Sequence, residues 1–134
     1  MATSRDTARG SRQDLGRAGE VEAARFLARR GLVILERNLR SRLGEIDLLA
    51  CDGQTLVFVE VKARRGSPGD PPQAAVDARK RARLGRLALG YLAACRLGER
   101  SCRFDVVAVS FDEAGGITAT RHIRNAFDLS DGAS

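Results

Sequence analysis

The sequence is poor in the residues on which many stacking, redox and zinc proteins depend. It has no tryptophan, one tyrosine and five phenylalanines, so aromatic stacking is not expected to be its main mode of binding nucleic acid. Its three cysteines, Cys51, Cys95 and Cys102, are odd in number and lack metal-binding or redox spacing. With only His122 to help them, a structural zinc site is not expected, and we predict reduced, mostly buried thiols.

The sequence also lacks long apolar runs. The longest nearly apolar stretch, Leu87–Cys95, is about half of what a bilayer span requires. Basic residues near the N-terminus are not followed by an apolar segment, so no signal peptide is visible. We therefore expect a cytoplasmic protein that does not bind membranes.

Length and composition predict one soluble globular domain. The chain has 134 residues, of which 43% are hydrophobic and 30% charged, as in ordinary globular proteins. We expect a single domain over residues 13–128, between a disordered basic tail (1–12) and a disordered C-terminal tail (129–134). The net charge of +6 favours an acidic partner, nucleic acid first, although GC-rich coding also raises arginine content.

Hydrophobic periodicity predicts an α/β fold. A helical stripe with period three to four fits residues 13–30, and a second fits residues 73–96. All three prolines lie in the loop between residues 64 and 72. The predicted strands cover residues 32–39, 44–50, 55–63, 102–111 and 117–123. Because a long helix separates the third and fourth strands, we expect that pair to be parallel within a mixed sheet of about five strands flanked by helices.

Each predicted helix has an apolar stripe that should pack on the sheet. The stripe of the first helix consists of Gly16, Glu20, Ala23, Ala24 and Leu27. The stripe of the second helix consists of Leu84, Leu87, Ala88, Tyr91, Leu92 and Cys95. Glu20 is thus either a carboxylate that faces a functional site or a partly exposed acid at the edge of its stripe.

The second and third strands carry an unusual concentration of acids. If the hairpin loop is Asp52-Gly53, or residues 51–54, position 47 lies opposite 58 and position 45 opposite 60. One face then carries Glu45, Asp47, Phe58, Glu60 and Lys62. The other face is apolar and carries Ile46, Leu48, Val57, Val59 and Val61.

Three acids on one face repel one another unless they are exposed, protonated or neutralised by a cation. Mg²⁺ prefers such hard oxygen ligands. Lys62 projects to the same side as Glu60, where an ammonium group can orient an attacking water or offset the charge of a phosphate. The pattern is typical of phosphodiester hydrolysis, and the alternative is an exposed strand with alternating charges.

The segment GEIDLLACDGQTLVFVEVKAR, preceded by GRAGEVEAARFL and followed by AVDARKRARLGRLALGYL, resembles the YraN family of small bacterial proteins. The resemblance covers about Leu15 to Phe127. It implies a restriction-endonuclease-like fold with a PD-(D/E)xK-type nuclease motif. In that motif Asp47 is similar to the first acid, Glu60 to the second and Lys62 to the lysine, while Glu20 is similar to an acid on the first helix.

The resemblance therefore implies a Mg²⁺ or Mn²⁺ site formed by Asp47, Glu60, the carbonyl of Val61 and Glu20. Lys80 is similar to a helix lysine that could reach the site or a phosphate, and a lysine lying along the surface is the alternative. Gln73 matches a glutamine of related nucleases only loosely.

Further arginines could bind a phosphate backbone, or could form an ordinary solvated face. They are Arg64, Arg65, Arg79, Arg81, Arg83 and Arg86. Arg103 and Asp105 share a strand face, so we expect an ion pair between them.

These observations favour a Mg²⁺- or Mn²⁺-dependent endonuclease that acts on DNA, including branched or damaged DNA. The first alternative is a nucleic-acid-binding accessory protein of repair, replication or RNA maturation that has no catalytic activity. The second is a partner-binding module of a larger complex, with the acids as a solvated surface. The small size suggests a homodimer if the enzyme cuts both strands of a substrate.

Overall fold

The computed structural model describes residues 4–66, 76–96 and 100–127, with side chains from Asp14 onward. Gln73, most of the proline-containing loop and the predicted C-terminal tail lie outside these residues. The elements are α1 (Ser4–Arg29), β1 (Val33–Ser41), β2 (Gly44–Asp52), β3 (Thr55–Arg65), α2 (Ala78–Ala94), β4 (Cys102–Phe111) and β5 (Ile117–Phe127). The order predicted from the sequence is confirmed.

The five strands form one open sheet in the order β1-β2-β3-β4-β5. β3 and β4 are parallel and are joined through α2, while the other neighbours are antiparallel. The predicted α/β fold with a mixed sheet is confirmed, and the architecture is restriction-endonuclease-like. In the part of the chain that the structure describes, no helix is long and apolar enough to cross a membrane.

The two helices cover opposite faces of the sheet. α1 packs Ala23, Ala24 and Leu27 against a layer that includes Val57 and Val59. α2 packs Leu84, Leu87, Ala88 and Leu92 against a layer that includes Phe58, Phe104 and Val106. Each side of the sheet therefore has its own apolar core. At one end of the sheet, side chains from both helices reach the same cleft.

Both helices differ in length from the prediction. α1 begins at Ser4, and its first turns lie in the segment where the sequence predicts a disordered tail; a formed helix extends at one hydrogen bond per residue when no proline interrupts it. α2 begins only at Ala78 because the Asp77 side chain caps it, accepting a hydrogen bond from the Lys80 N–H at 2.9 Å.

The hairpin register is shifted by two residues from the prediction. Asp52 pairs with Thr55 and Leu48 with Val59, so Gly53 and Gln54 form the turn, with Gly53 at φ +62°. Position 47 is therefore aligned with 60 rather than 58. Because the shift is even, the alternation of faces along β3 is the predicted one.

Four side chains depart from the predicted burial. Ile46 packs in the α2 core although Leu48, two residues later, packs under α1, so the apolar layer predicted for β2 does not include Ile46. Cys95 caps α2 and is exposed, because the helix ends there. The other two cysteines, Cys51 and Cys102, are half-buried rather than buried, and all three are free thiols.

Candidate active site

The candidate site lies where β2 and β3 separate. Their ladder ends at the Leu48–Val59 pair, whereas the β3–β4 ladder continues to Arg65 and Phe111. Beyond the end of the shorter ladder, the Val61 N–H donates to Asp47 Oδ2 at 2.8 Å. The carboxylate thus takes the place of a backbone acceptor and is held at the fork between the two strands.

A glycine brings α1 close to this fork. A Cβ on Gly19 would lie 2.9 Å from the Ala63 Cβ and 3.7 Å from a Val61 methyl, so only glycine allows this approach of helix to strand. The next residue of the helix is Glu20, which points into the fork. Carboxylate oxygens of Glu20, Glu45 and Asp47 all lie within 4.8 Å of one another.

This crowding raises the affinity of the acids for protons. Burial, followed by the negative charge of Glu60, raises the pKa of Asp47 to about 8 against the lowering effect of the Val61 N–H. Burial and then the charge of Glu45 raise the pKa of Glu20, which a hydrogen bond from Asn38 partly offsets. The positive charge near these acids is therefore too small to keep all of them ionised.

Two side chains of β1 support the edge of the group. With its amide oriented to donate, Asn38 reaches Glu45 Oε1 at 2.7 Å and Glu20 Oε1 at 3.2 Å. Arg40 Nε lies 3.3 Å from Glu45 Oε2. Asn38 has a positive φ of 54°, a backbone conformation that asparagine tolerates better than most residues.

Glu60 and Lys80 form an ion pair across the site. The Glu60 side chain is only 12% exposed, so the pairing with Lys80 of α2 compensates a charge that is largely removed from water. Lys62 is half-buried on the same strand. All these groups line one cleft of about 360 Å³, formed by Leu15, Gly16, Glu20, Asp47, Glu60, Val61, Lys62, Ala63 and Lys80.

The structure thus brings together Asp47, Glu60, Val61, Lys62 and Glu20, the residues that the resemblance places at the site, with Lys80 beside them. Within the described residues, the carboxylates whose oxygens lie within 4.8 Å of one another are those of Glu20, Glu45 and Asp47. This group leaves out Glu60, which is paired with Lys80, and includes Glu45, which the sequence places on the same face but does not mark as a ligand. The signal in the sequence that could have identified Glu45 is its position two residues before Asp47, on the same face of the strand. The oxygen donor set suits Mg²⁺ or Mn²⁺.

The arginines proposed to bind nucleic acid lie on two elements near the cleft. Arg64 is half-buried and Arg65 exposed at the end of β3, while Arg79 and Arg83 are exposed on α2. Arg65 makes an interaction within the chain. These side chains place positive charge at the end of β3, which carries Glu60 and Lys62, and on α2, which carries Lys80.

Asp105 belongs to a separate buried network. Arg103 donates to both of its oxygens, at 3.0 and 3.2 Å, which confirms the predicted ion pair. His122 Nε2 lies 2.7 Å from Oδ2, and the Asn125 N–H donates to Oδ1 at 2.9 Å. Burial alone would raise the pKa of Asp105, but the hydrogen bonds from His122, Arg103 and Asn125 outweigh it and lower that pKa.

Comparison with known proteins places the chain in a family. A model of uncharacterised protein family UPF0102 matches residues 19–109, a range that contains Glu20, Asp47, Glu60 and Lys62. The chain belongs to this family. UPF0102 is the YraN family, so the resemblance seen in the sequence is confirmed.

UPF0102 proteins from several bacteria match most of the chain. A relative from Moorella thermoacetica is 48% identical over 117 residues, which are 87% of this chain and 98% of the relative. One from Symbiobacterium thermophilum is 53% identical over 115 residues, or 84% and 95% of the two chains. One from Ectopseudomonas mendocina is 46% identical over 119 residues, or 88% and 98%.

Proposed function

We propose that this UPF0102 protein is a Mg²⁺- or Mn²⁺-dependent nuclease that hydrolyses phosphodiester bonds in DNA. The observation that carries the proposal is the group of acids at the β2–β3 fork. Three carboxylates within 4.8 Å of one another, with the pKa of Asp47 raised to about 8, form a site where a divalent cation would relieve the repulsion. Lys62 of β3 lines the same cleft as Glu20 and Asp47.

The roles follow from the position of each group. Asp47, Glu60, the Val61 carbonyl and Glu20 would hold the ion, with Glu45 as an additional ligand. A bound Mg²⁺ or Mn²⁺ supplies Lewis acidity and lowers the pKa of a coordinated water.

Two lysines complete the site. Lys62 would orient the attacking water and balance charge on the phosphate. Lys80 neutralises Glu60 and thereby limits the excess negative charge that an approaching phosphate would meet.

The arginines near the cleft would bind the backbone of the substrate. Arg64 and Arg65 follow Lys62 on β3, and Arg79 and Arg83 flank Lys80 on α2. Contacts between such side chains and phosphates supply affinity without sequence preference. We therefore expect binding that weakens steeply with salt.

A cleavage panel with purified protein tests the proposal. End-labelled single-stranded, duplex, flap and four-way-junction DNA and a structured RNA would be incubated with Mg²⁺, Mn²⁺ or EDTA. We expect metal-dependent products from wild type that disappear in Asp47→Ala and Lys62→Ala. The control is Glu113→Ala, which removes an exposed acid from the β4–β5 turn and should cut like wild type.

The same panel addresses the rival functions. The ion pair between Glu60 and Lys80 engages the second acid of the motif and favours, as a second candidate, a nucleic-acid-binding protein without catalysis. That protein would bind the substrates in a salt-dependent manner and cut none of them with either metal. A partner-binding module would show neither metal affinity at the acids nor salt-dependent binding of DNA.

A further inference from the structure

A second concavity lies next to the carboxylate group, between the β1–β2 turn and α2. It has a volume of about 660 Å³, which is within the range of sites for small organic groups. Its apolar lining consists of Leu39, Leu43, Ile46, Leu87, Tyr91 and Ala94. Leu43 is 48% exposed, so the apolar surface is open to solvent and available to a ligand.

The rim of this groove is positively charged. Arg40, Arg42 and Arg86 line it together with a single acid, Glu36. A ligand that combines an apolar planar body with a negatively charged attachment would match both the lining and the rim.

The groove lies beside the candidate active site. Ile46 lines the groove and directly precedes Asp47. Arg40 lines the rim and lies 3.3 Å from Glu45 Oε2, one of the clustered carboxylates. A chain that passes over Arg40 would therefore meet the groove and the group of acids in succession.

We propose that the groove accepts the base of an unpaired nucleotide, on a strand whose neighbouring phosphate lies at the carboxylate group. This inference rests on the proposed nuclease function and specifies its substrate class, a nucleic acid with a single-stranded segment or unpaired nucleotides. A base has apolar faces that suit leucine, isoleucine and tyrosine side chains, and its phosphates suit the arginine rim. One tyrosine is sufficient for one base, in keeping with the scarcity of aromatic residues.

Gly90 provides a way to fill the groove without disturbing the fold. It lines the groove on the helical face shared with Leu87 and Tyr91. A Cβ built on it meets no heavy atom within 4 Å. Because glycine disfavours helix interiors, Gly90→Leu should fold at least as well as wild type while occupying the space meant for the base.

The matched control is Ala93→Leu. Ala93 is exposed on the same helix and is not part of the groove lining. It receives the same side chain at a position that the proposal does not use.

The test is fluorescence anisotropy in EDTA, where binding is measured apart from cleavage. The probes are an oligothymidylate, an oligouridylate, an abasic strand of equal length and a blunt duplex. Because stacking of one base contributes on the order of 1–3 kcal/mol, Gly90→Leu should bind the two strands with bases about tenfold more weakly. Its affinity for the abasic strand and the duplex should equal that of wild type, and Ala93→Leu should match wild type on every probe.

Three results would overturn the inference. In the first, Gly90→Leu binds every probe with the affinity of wild type. In the second, Gly90→Leu loses as much affinity for the abasic strand as for the strands with bases. In the third, wild type does not bind single strands. Each of these results concerns binding and does not depend on catalysis. If the binding results are as expected but no substrate is cut, only the proposed nuclease function is contradicted. The uridylate and thymidylate arms show whether RNA or DNA fits better.

Discussion

Replacement of Asp47 by asparagine should stabilise the metal-free protein, increasingly so as the pH rises. In the folded chain the pKa of Asp47 is about 8, against an ordinary value of 3.8. Between these values the folded state retains a proton that the unfolded state has released. The free energy of unfolding therefore falls as pH rises through this window, and the decline ends above the folded pKa.

The magnitude follows from one proton. Over the window the slope is about 1.4 kcal/mol per pH unit, which gives a loss of about 2.7 kcal/mol between pH 5 and pH 7. Asparagine is uncharged at every pH, and its carbonyl can still accept the Val61 N–H that Asp47 binds at 2.8 Å. The stability of Asp47→Asn relative to wild type should thus increase by about that amount between the two pH values.

Urea unfolding in EDTA at pH 5, 6 and 7 measures this difference. Asp14→Asn is the control, since it removes an exposed carboxylate from α1. In a second series at pH 7, millimolar Mn²⁺ should stabilise wild type and not Asp47→Asn. A difference between Asp47→Asn and wild type that stays constant from pH 5 to 7 would contradict a raised pKa of Asp47, because it would mean that Asp47 is ionised without a cation.

Three further substitutions test the packing around the site and the separate buried network of Asp105. Gly19→Ala should lower the free energy of unfolding by about 1–3 kcal/mol and weaken Mn²⁺ binding, because a Cβ there would lie 2.9 Å from that of Ala63. Gly16→Ala meets open space and should raise stability by about 0.5–1 kcal/mol; equal effects in urea unfolding would contradict the packing argument. Asp105→Ala should cost about 3–5 kcal/mol, since it leaves Arg103 without its buried partner. Because the pKa of Asp105 is lowered, the contribution of this carboxylate to stability should be lost only in acidic solution, as the pH falls below its ordinary range.

Much of the fold follows from local signals in the sequence. The alternating valines of β3 and the stripe of Leu84, Leu87 and Ala88 in α2 indicate the element type, because burial of one face requires those periods. The crossover through α2 then makes β3 and β4 parallel. The shared face of Phe58, Glu60 and Lys62 needs only the alternation of a strand, so it does not depend on the register of the hairpin.

The features that the sequence does not predict, namely the hairpin register, the face of Ile46 and the inclusion of Glu45, depend on tertiary packing. A two-residue turn can use Gly53 as its second or its first residue, and only the observed pairing of Asp52 with Thr55 distinguishes the two. Where β2 diverges from β3, the side chain of Ile46 turns towards α2 and packs in the core on that side. Hydrophobic periodicity in the sequence does not indicate such a change of face. The inclusion of Glu45 in the carboxylate group likewise depends on how closely α1 and β1 approach the end of β2.

The most direct test of the proposed nuclease is single-turnover cleavage by wild type and Asp47→Asn. Purified proteins would be mixed with an end-labelled DNA junction that carries unpaired nucleotides, with Mn²⁺ or EDTA. We expect Mn²⁺-dependent products from wild type and none from Asp47→Asn, although that variant should be the more stable protein at neutral pH in the absence of metal. Equal cleavage by the two proteins, or cleavage by wild type in EDTA, would contradict it.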